Sequence, residues 1–132
     1  MSLGIDTSVL VRVLVNEPAP LAAKAQRRLL DAHRVREPVF VSDLVIAEAY
    51  HALKHHYSLD LADTRKALTT TLTSGLVQPE PGSAALAVLQ SPEGGQAGFV
   101  DRLIHTRYRL DGMTTLTFDK TQSKLGNAEL ID

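Results

Sequence analysis

Four acids occupy positions where a carboxylate could do chemistry. Asp6 closes the short apolar run Leu3-Gly4-Ile5 and is followed by the hydroxyls of Thr7 and Ser8. Asp119 closes Thr114-Thr115-Leu116-Thr117-Phe118 in the same way, and Asp101 sits inside Phe99-Val100-Asp101-Arg102-Leu103-Ile104. Glu48 is the sole acid between Leu44 and Leu53. Burying an unpaired carboxylate is expensive, and gathered carboxylates repel one another unless a cation neutralises them. Brought together, these four would make an all-oxygen ligand set, which suits Mg²⁺ or Mn²⁺ better than zinc. Each also has an ordinary structural role open to it. Asp6 and Asp119 can cap the turns that follow them. Glu48, with Leu44 and Ala52 one turn away, occupies or borders a buried helix face, where it can pack its stem and keep its head in water. Asp101 can pair with Arg102 or with His105, one turn on.

Other chemistries find less support. The chain has no cysteine, which excludes disulfides, thiolate nucleophiles and Cys-based zinc sites. No Gly-x-Ser-x-Gly elbow, Gly-x-Gly-x-x-Gly turn or phosphate-binding P-loop occurs. Glu48-x-x-His51 and His51-x-x-x-His55 offer ligand spacing on one helix, but a di-iron bundle requires a second Glu-x-x-His, and none is present. His51, His55 and His56 therefore read as helix-surface residues.

The elements that must carry these acids alternate. Strands are expected at Leu3–Ile5, Pro38–Val41, Leu76–Gln78, Met113–Phe118 and Ala128–Ile131, the first of them buried. Helices are expected from an N-cap at Asp6, Thr7 or Ser8 to Val15, and from Pro20 to Arg34, Asp43 to Tyr57, Asp60 to Ser74, Ser83 to Gln90 and Gln96 to Leu110, with residues 91–95 as a loop. Ser42 supplies an N-cap and Gly75 a stop. The alternation predicts an α/β fold with a short, mostly parallel sheet covered on both faces. Ligands of such sheets bind outside the carboxyl ends of the strands, which is where Asp6 and Asp119 fall. The 132 residues are expected to form a single domain, 1–132.

With 14 Lys and Arg against 15 Asp and Glu, the chain cannot bind nucleic acid by bulk charge. Three Phe, three Tyr and no Trp argue against modules that stack bases on many aromatic rings. No run approaches the ~20 apolar residues of a membrane span, and no signal peptide fits, so a cytoplasmic protein is expected. With the four candidate acids set aside, 15 acids become 11 against 14 bases, a mildly basic remainder around an acidic pocket. If the ligand carries phosphates, Arg102 and Lys120, each next to a candidate acid, are the cations expected to meet them.

Taken in order, Ile5-Asp6-Thr7-Ser8-Val9-Leu10-Val11, Val45-Ile46-Ala47-Glu48, Phe99-Val100-Asp101-Arg102-Leu103-Ile104 and Leu116-Thr117-Phe118-Asp119 resemble the four motifs of PIN-domain ribonucleases. The nearest branch is the VapC-type toxins of toxin–antitoxin pairs. The resemblance implies a three-layer α/β/α sandwich and a metal-dependent endoribonuclease, using Mg²⁺ or Mn²⁺ and cutting RNA. It also implies a homodimer and a small cognate antitoxin. Asp6, Glu48, Asp101 and Asp119 match the family's acidic quartet, as both catalytic and metal-binding residues. Thr7 and Thr117 match hydroxyls that support those acids from behind. The chain departs from the pattern at Ser8, where Asn is common, at Gly98, where another Asp is frequent, and at Arg102, where a small residue is frequent.

Three rivals remain at this stage. A phosphoacceptor or receiver domain wants its acceptor Asp at the end of a mid-chain strand, whereas Glu48 is a Glu within a helix. A haloacid-dehalogenase-like phosphatase wants Asp-x-Asp after the first strand, and Ser8 holds the second position. A catalytically silent PIN-like binding domain would keep the acids without turnover.

Overall fold

Leu3–Ile5 extends as β1 and stops at Asp6, whose backbone stays extended while its carboxylate accepts the Val9 N–H and opens helix α1, Thr7–Val15. Asn16 ends α1 in the left-handed conformation, at φ 57°, a geometry that Asn tolerates better than most residues. In the computed structural model, residues 1–91 and 97–131 are described. The expected loop at 91–95 and the first residue of the Gln96–Leu110 helix lie almost wholly outside them. The chain divides into two compact units, Met1–Pro81 and the residues from Gly82 onward.

The first unit continues with α2 (Ala19–Arg34), β2 (Val39–Val41), α3 (Asp43–His55), α4 (Leu61–Leu72) and β3 (Gln78–Pro79). Its sheet has the order β1-β2-β3, all parallel, with Leu3 opposite Val39, Ile5 opposite Val41, and Val41 opposite Pro79. Val39 and Val41 are buried because β2 has a neighbour on each side, whereas Leu3 and Ile5 of β1 are half-buried, less than the sequence reading expected. Leu10, Val41, Ile46, Leu53 and Leu68 form the centre of the core.

Helix α3 begins as expected, with the Ser42 hydroxyl accepting the Val45 N–H at 3.1 Å. Its buried residues are Asp43, Ile46, Ala49, Tyr50 and Leu53, a stripe with helical spacing. Glu48 lies two residues from Ile46, about 200° around a helix of 3.6 residues per turn. It is therefore exposed rather than on or beside the buried face, and Leu44 beside it is 73% exposed. The residues around Glu48 are apolar on every side, so their pattern does not reveal which face the helix buries. Helix α4 stops at Leu72, short of Ser74, because the hydroxyls of Thr73 and Ser74 donate to the Thr69 and Thr71 carbonyls, each at 2.7 Å.

The second unit contains α5 (Ala85–Gln90), α6 (Phe99–Leu110), β4 (Thr115–Thr117), a 3₁₀ turn (Gln122–Lys124) and β5 (Ala128–Leu130). β4 and β5 pair in parallel, Thr115 opposite Ala128 and Thr117 opposite Leu130. β4 is shorter than the expected Met113–Phe118 because the Met113 N–H is held by the Tyr108 carbonyl, at 2.8 Å, in the turn leaving α6. Its buried positions are Thr115 and Thr117, with Leu116 exposed between them. Short parallel strands thus alternate with helices in each unit, and the α/β class is as expected.

Leu53 is fully buried, so Leu53→Ala should cost ~2–5 kcal/mol of unfolding free energy. Ser42→Ala, which removes only a cap, should cost about 1 kcal/mol. Urea denaturation reads both, and a smaller loss for Leu53→Ala than for Ser42→Ala would contradict this packing.

Candidate active site

The first unit supplies Asp6 and Glu48. Asp6 stands at the carboxyl end of β1, where it accepts the Ser8 hydroxyl at 2.6 Å and the Val9 N–H at 3.2 Å. Those donors, the Ser8 hydroxyl foremost, hold its carboxyl below the ordinary value of 3.8, against a small opposing effect of burial. Thr7, the next residue, donates its hydroxyl to Glu48 Oε1 at 2.9 Å, linking positions 41 residues apart. The end of β1 and the middle of α3 thus meet at one carboxylate. Thr7 and Glu48 line an open cleft of about 440 Å³ together with Ala47, His51, Ala52 and His56.

The second unit supplies Asp101 and Asp119. Asp101 is half-buried near the start of α6, and Asp119 is exposed just past β4. Asp119 Oδ1 accepts the N–H groups of Thr121 and Gln122, at 2.7 and 3.2 Å, and so opens the 3₁₀ turn. Thr117 acts on the backbone of Asp119 rather than on its carboxylate: its Oγ1 accepts the Asp119 N–H at 2.9 Å. The same hydroxyl donates to Gln122 Oε1 at 3.2 Å.

Gln122 is the residue that the sequence reading missed. Buried to 8% exposure, it donates through Nε2 to the Asp101 carbonyl at 3.2 Å while its N–H bonds Asp119. One amide side chain thereby ties together the segments that carry Asp101, Thr117 and Asp119. Its spacing, three residues after a capping Asp, was a visible signal. His105 is likewise buried, with Nδ1 3.1 Å from Thr115 Oγ1, so it serves β4 and not Asp101.

Of the expected phosphate contacts, Lys120 is exposed. Arg102 is half-buried in the wall of a cavity of about 250 Å³ that it shares with Ser91, His105, Thr106 and Arg109.

These acids fit a hard divalent ion by donor chemistry. All offer carboxylate oxygen, and a carboxylate accepting two hydrogen bonds keeps further lone pairs for a metal. The exposure of Asp6, Glu48 and Asp119 leaves room for the waters that Mg²⁺ retains. Among the described residues, neither unit by itself gathers three or more His, Asp or Glu side chains into a metal-holding group. No helix of the described residues is long and apolar enough to cross a membrane.

Compared with known protein families, residues 4–128 match the model of the PIN domain. Comparison with curated proteins and with solved structures returned no match.

Three outcomes are expected from this geometry. Ser8→Ala should raise the Asp6 pKa toward its ordinary value, as followed by carboxyl NMR shifts; an unchanged titration would contradict the Ser8 bond. Because the folded-state pKa is depressed, the stabilisation from Asp6 is complete above its ordinary pKa and fades as pH falls through the folded value. Gln122→Ala strips partners from the Asp101 carbonyl and the Thr117 hydroxyl and should cost ~1–3 kcal/mol by denaturation.

Proposed function

The chain belongs to the PIN-domain family, and from that premise we propose that it is a metal-dependent endoribonuclease. PIN domains are typically nucleases that use Mg²⁺ or Mn²⁺, and the family points to RNA as ligand. The observation that carries the reading is the Thr7–Glu48 hydrogen bond. A hydroxyl beside the first acid holds the second acid of the motif set at the mouth of β1, in a cleft open to a polymer.

In this reading Asp6, Glu48, Asp101 and Asp119 would hold the ion, with Asp6 and Asp101 as its principal ligands. All four lie inside the matched residues, which is the support for uniting them. When bound, the ion lowers the pKa of a coordinated water and offsets charge on the scissile phosphate. The chain's own residues do the rest. Ser8 and the Val9 N–H hold the Asp6 carboxylate in place, Thr7 fixes the rotamer of Glu48, and Gln122 with Thr117 sets the backbone that presents Asp119. Arg102 and Lys120 hold flanking phosphates, and residues 1–132 act as one domain. The motif resemblance to VapC-type toxins extends the proposal to a cytoplasmic toxin, dimeric and held inactive by a small cognate antitoxin.

A second reading has its own observation. Asp6 and Asp119 already cap turns, and neither unit alone assembles three metal ligands among the described residues, as a silent PIN-like binding domain would allow.

Cleavage of single-stranded RNA that needs Mg²⁺ or Mn²⁺ and stops with EDTA separates the two. Asp6→Asn should abolish that cleavage with little change in the thermal midpoint, because Asn caps a helix about as well as Asp. Full activity in this variant would remove Asp6 from the metal site. Arg102→Ala should weaken RNA binding and flatten its salt dependence, by about 0.7 in log–log slope for each phosphate that is no longer neutralised.

A further inference from the structure

Helix α3 ends in a group of exposed imidazoles that stack on one another. His51 and His55 on its last turns and His56 at its C-cap are all exposed. The His51 and His55 ring centroids are 4.2 Å apart at a 37° tilt, and His56 stands edge-on to His51 at 6.5 Å and 77°. His51 and His56 line the cleft that holds the Thr7–Glu48 hydrogen bond. In the same unit Phe40, Tyr50 and Tyr57 are buried or half-buried, so the exposed aromatic surface at this cleft is imidazole.

An imidazole face stacks on an unpaired base in the way larger aromatic rings do, and base stacking tolerates any sequence. The contact of His55 with His51 already restrains the His51 ring, which lowers the ordering cost of binding. The i, i+4 pair His51 and His55 also has chelating spacing, but no third His, Asp or Glu joins it as a metal-holding group among the described residues. The cleft, at about 440 Å³, falls in the ordinary range for ligand pockets, roughly 300–1,000 Å³.

We propose that His51 and His56, with His55 bracing His51, form a stacking platform for one unpaired RNA base beside the phosphodiester that faces Glu48. The proposal rests on the nuclease reading of the same cleft and adds the element that selects single-stranded substrate. A chain poor in aromatic residues thus gains a platform from histidine, beside the acid where a base would be needed.

The test is binding of a labelled single-stranded RNA oligonucleotide to the full chain at pH 8 in EDTA, so that the RNA stays intact, read by fluorescence anisotropy. His51→Ala combined with His56→Ala should weaken binding about tenfold, while His51→Phe stays within about threefold of the unmodified protein. The log–log salt slope should not change, because stacking on a ring face neutralises no phosphate and so releases no counterion. One abasic position in the oligonucleotide should weaken the unmodified protein and leave the double variant no weaker than before. Binding within twofold in the double variant, a shallower salt slope, or unchanged binding at every abasic position would each overturn the platform. If the unmodified protein cleaves RNA with Mg²⁺ while the double variant binds normally, only the platform fails. If the unmodified protein neither binds nor cleaves RNA, the nuclease reading fails and the platform with it.

Discussion

A carboxylate that ends a strand and accepts the N–H groups of the next turn is the constraint on which both halves of this molecule turn. Asp6 does this for α1, and Asp119 does it for the 3₁₀ turn after β4. An N-cap satisfies orphan backbone donors and lies where partial positive charge accumulates, so it fixes the carboxylate and favours its ionised form. Structural and chemical demands therefore coincide. The bonds that start the turns also hold two acids at strand ends, where an α/β protein presents its ligands.

Around each cap a neighbouring side chain extends the order. Thr7 follows Asp6 and reaches across to Glu48, turning a local turn into a contact between β1 and α3. Gln122 follows Asp119 and reaches back to Asp101, with Thr117 bonded to both Gln122 and the Asp119 N–H. The two arrangements are alike in logic. A polar residue near the cap commits its hydrogen-bonding capacity to a second segment, so that each acid is placed by more than its own backbone. The mildly basic remainder of the chain, 14 bases against 11 other acids, then accompanies acids that are held locally.

Much of this was legible in the residues. Alternating apolar runs and capping residues marked the strands and helices to within a few positions, because capping and periodicity are local. The failures were equally physical. Strand β4 is shorter than its apolar run suggests: hydrophobic Met113 and Phe118 flank it, but the Met113 N–H is committed to Tyr108. From sequence Glu48 can only be said to occupy or border a buried face, because an all-round apolar segment has no visible period; the packing of Ile46, Ala49 and Leu53 shows which side faces the core. Gln122 was passed over because a buried glutamine is recognisable only when its partners are known.

The amino-acid sequence by itself determined which residue types stand at the strand ends, the order of the four acidic motifs, and hence the family. Those properties depend on neighbours in the chain. Tertiary structure alone decided that Thr7 reaches Glu48, that Gln122 reaches Asp101, and that two exposed histidines from the end of α3 share an open cleft with an acid. The hydrogen bonds among these join segments tens of residues apart, and their distances are set by how helices pack on a sheet. No local spacing encodes that.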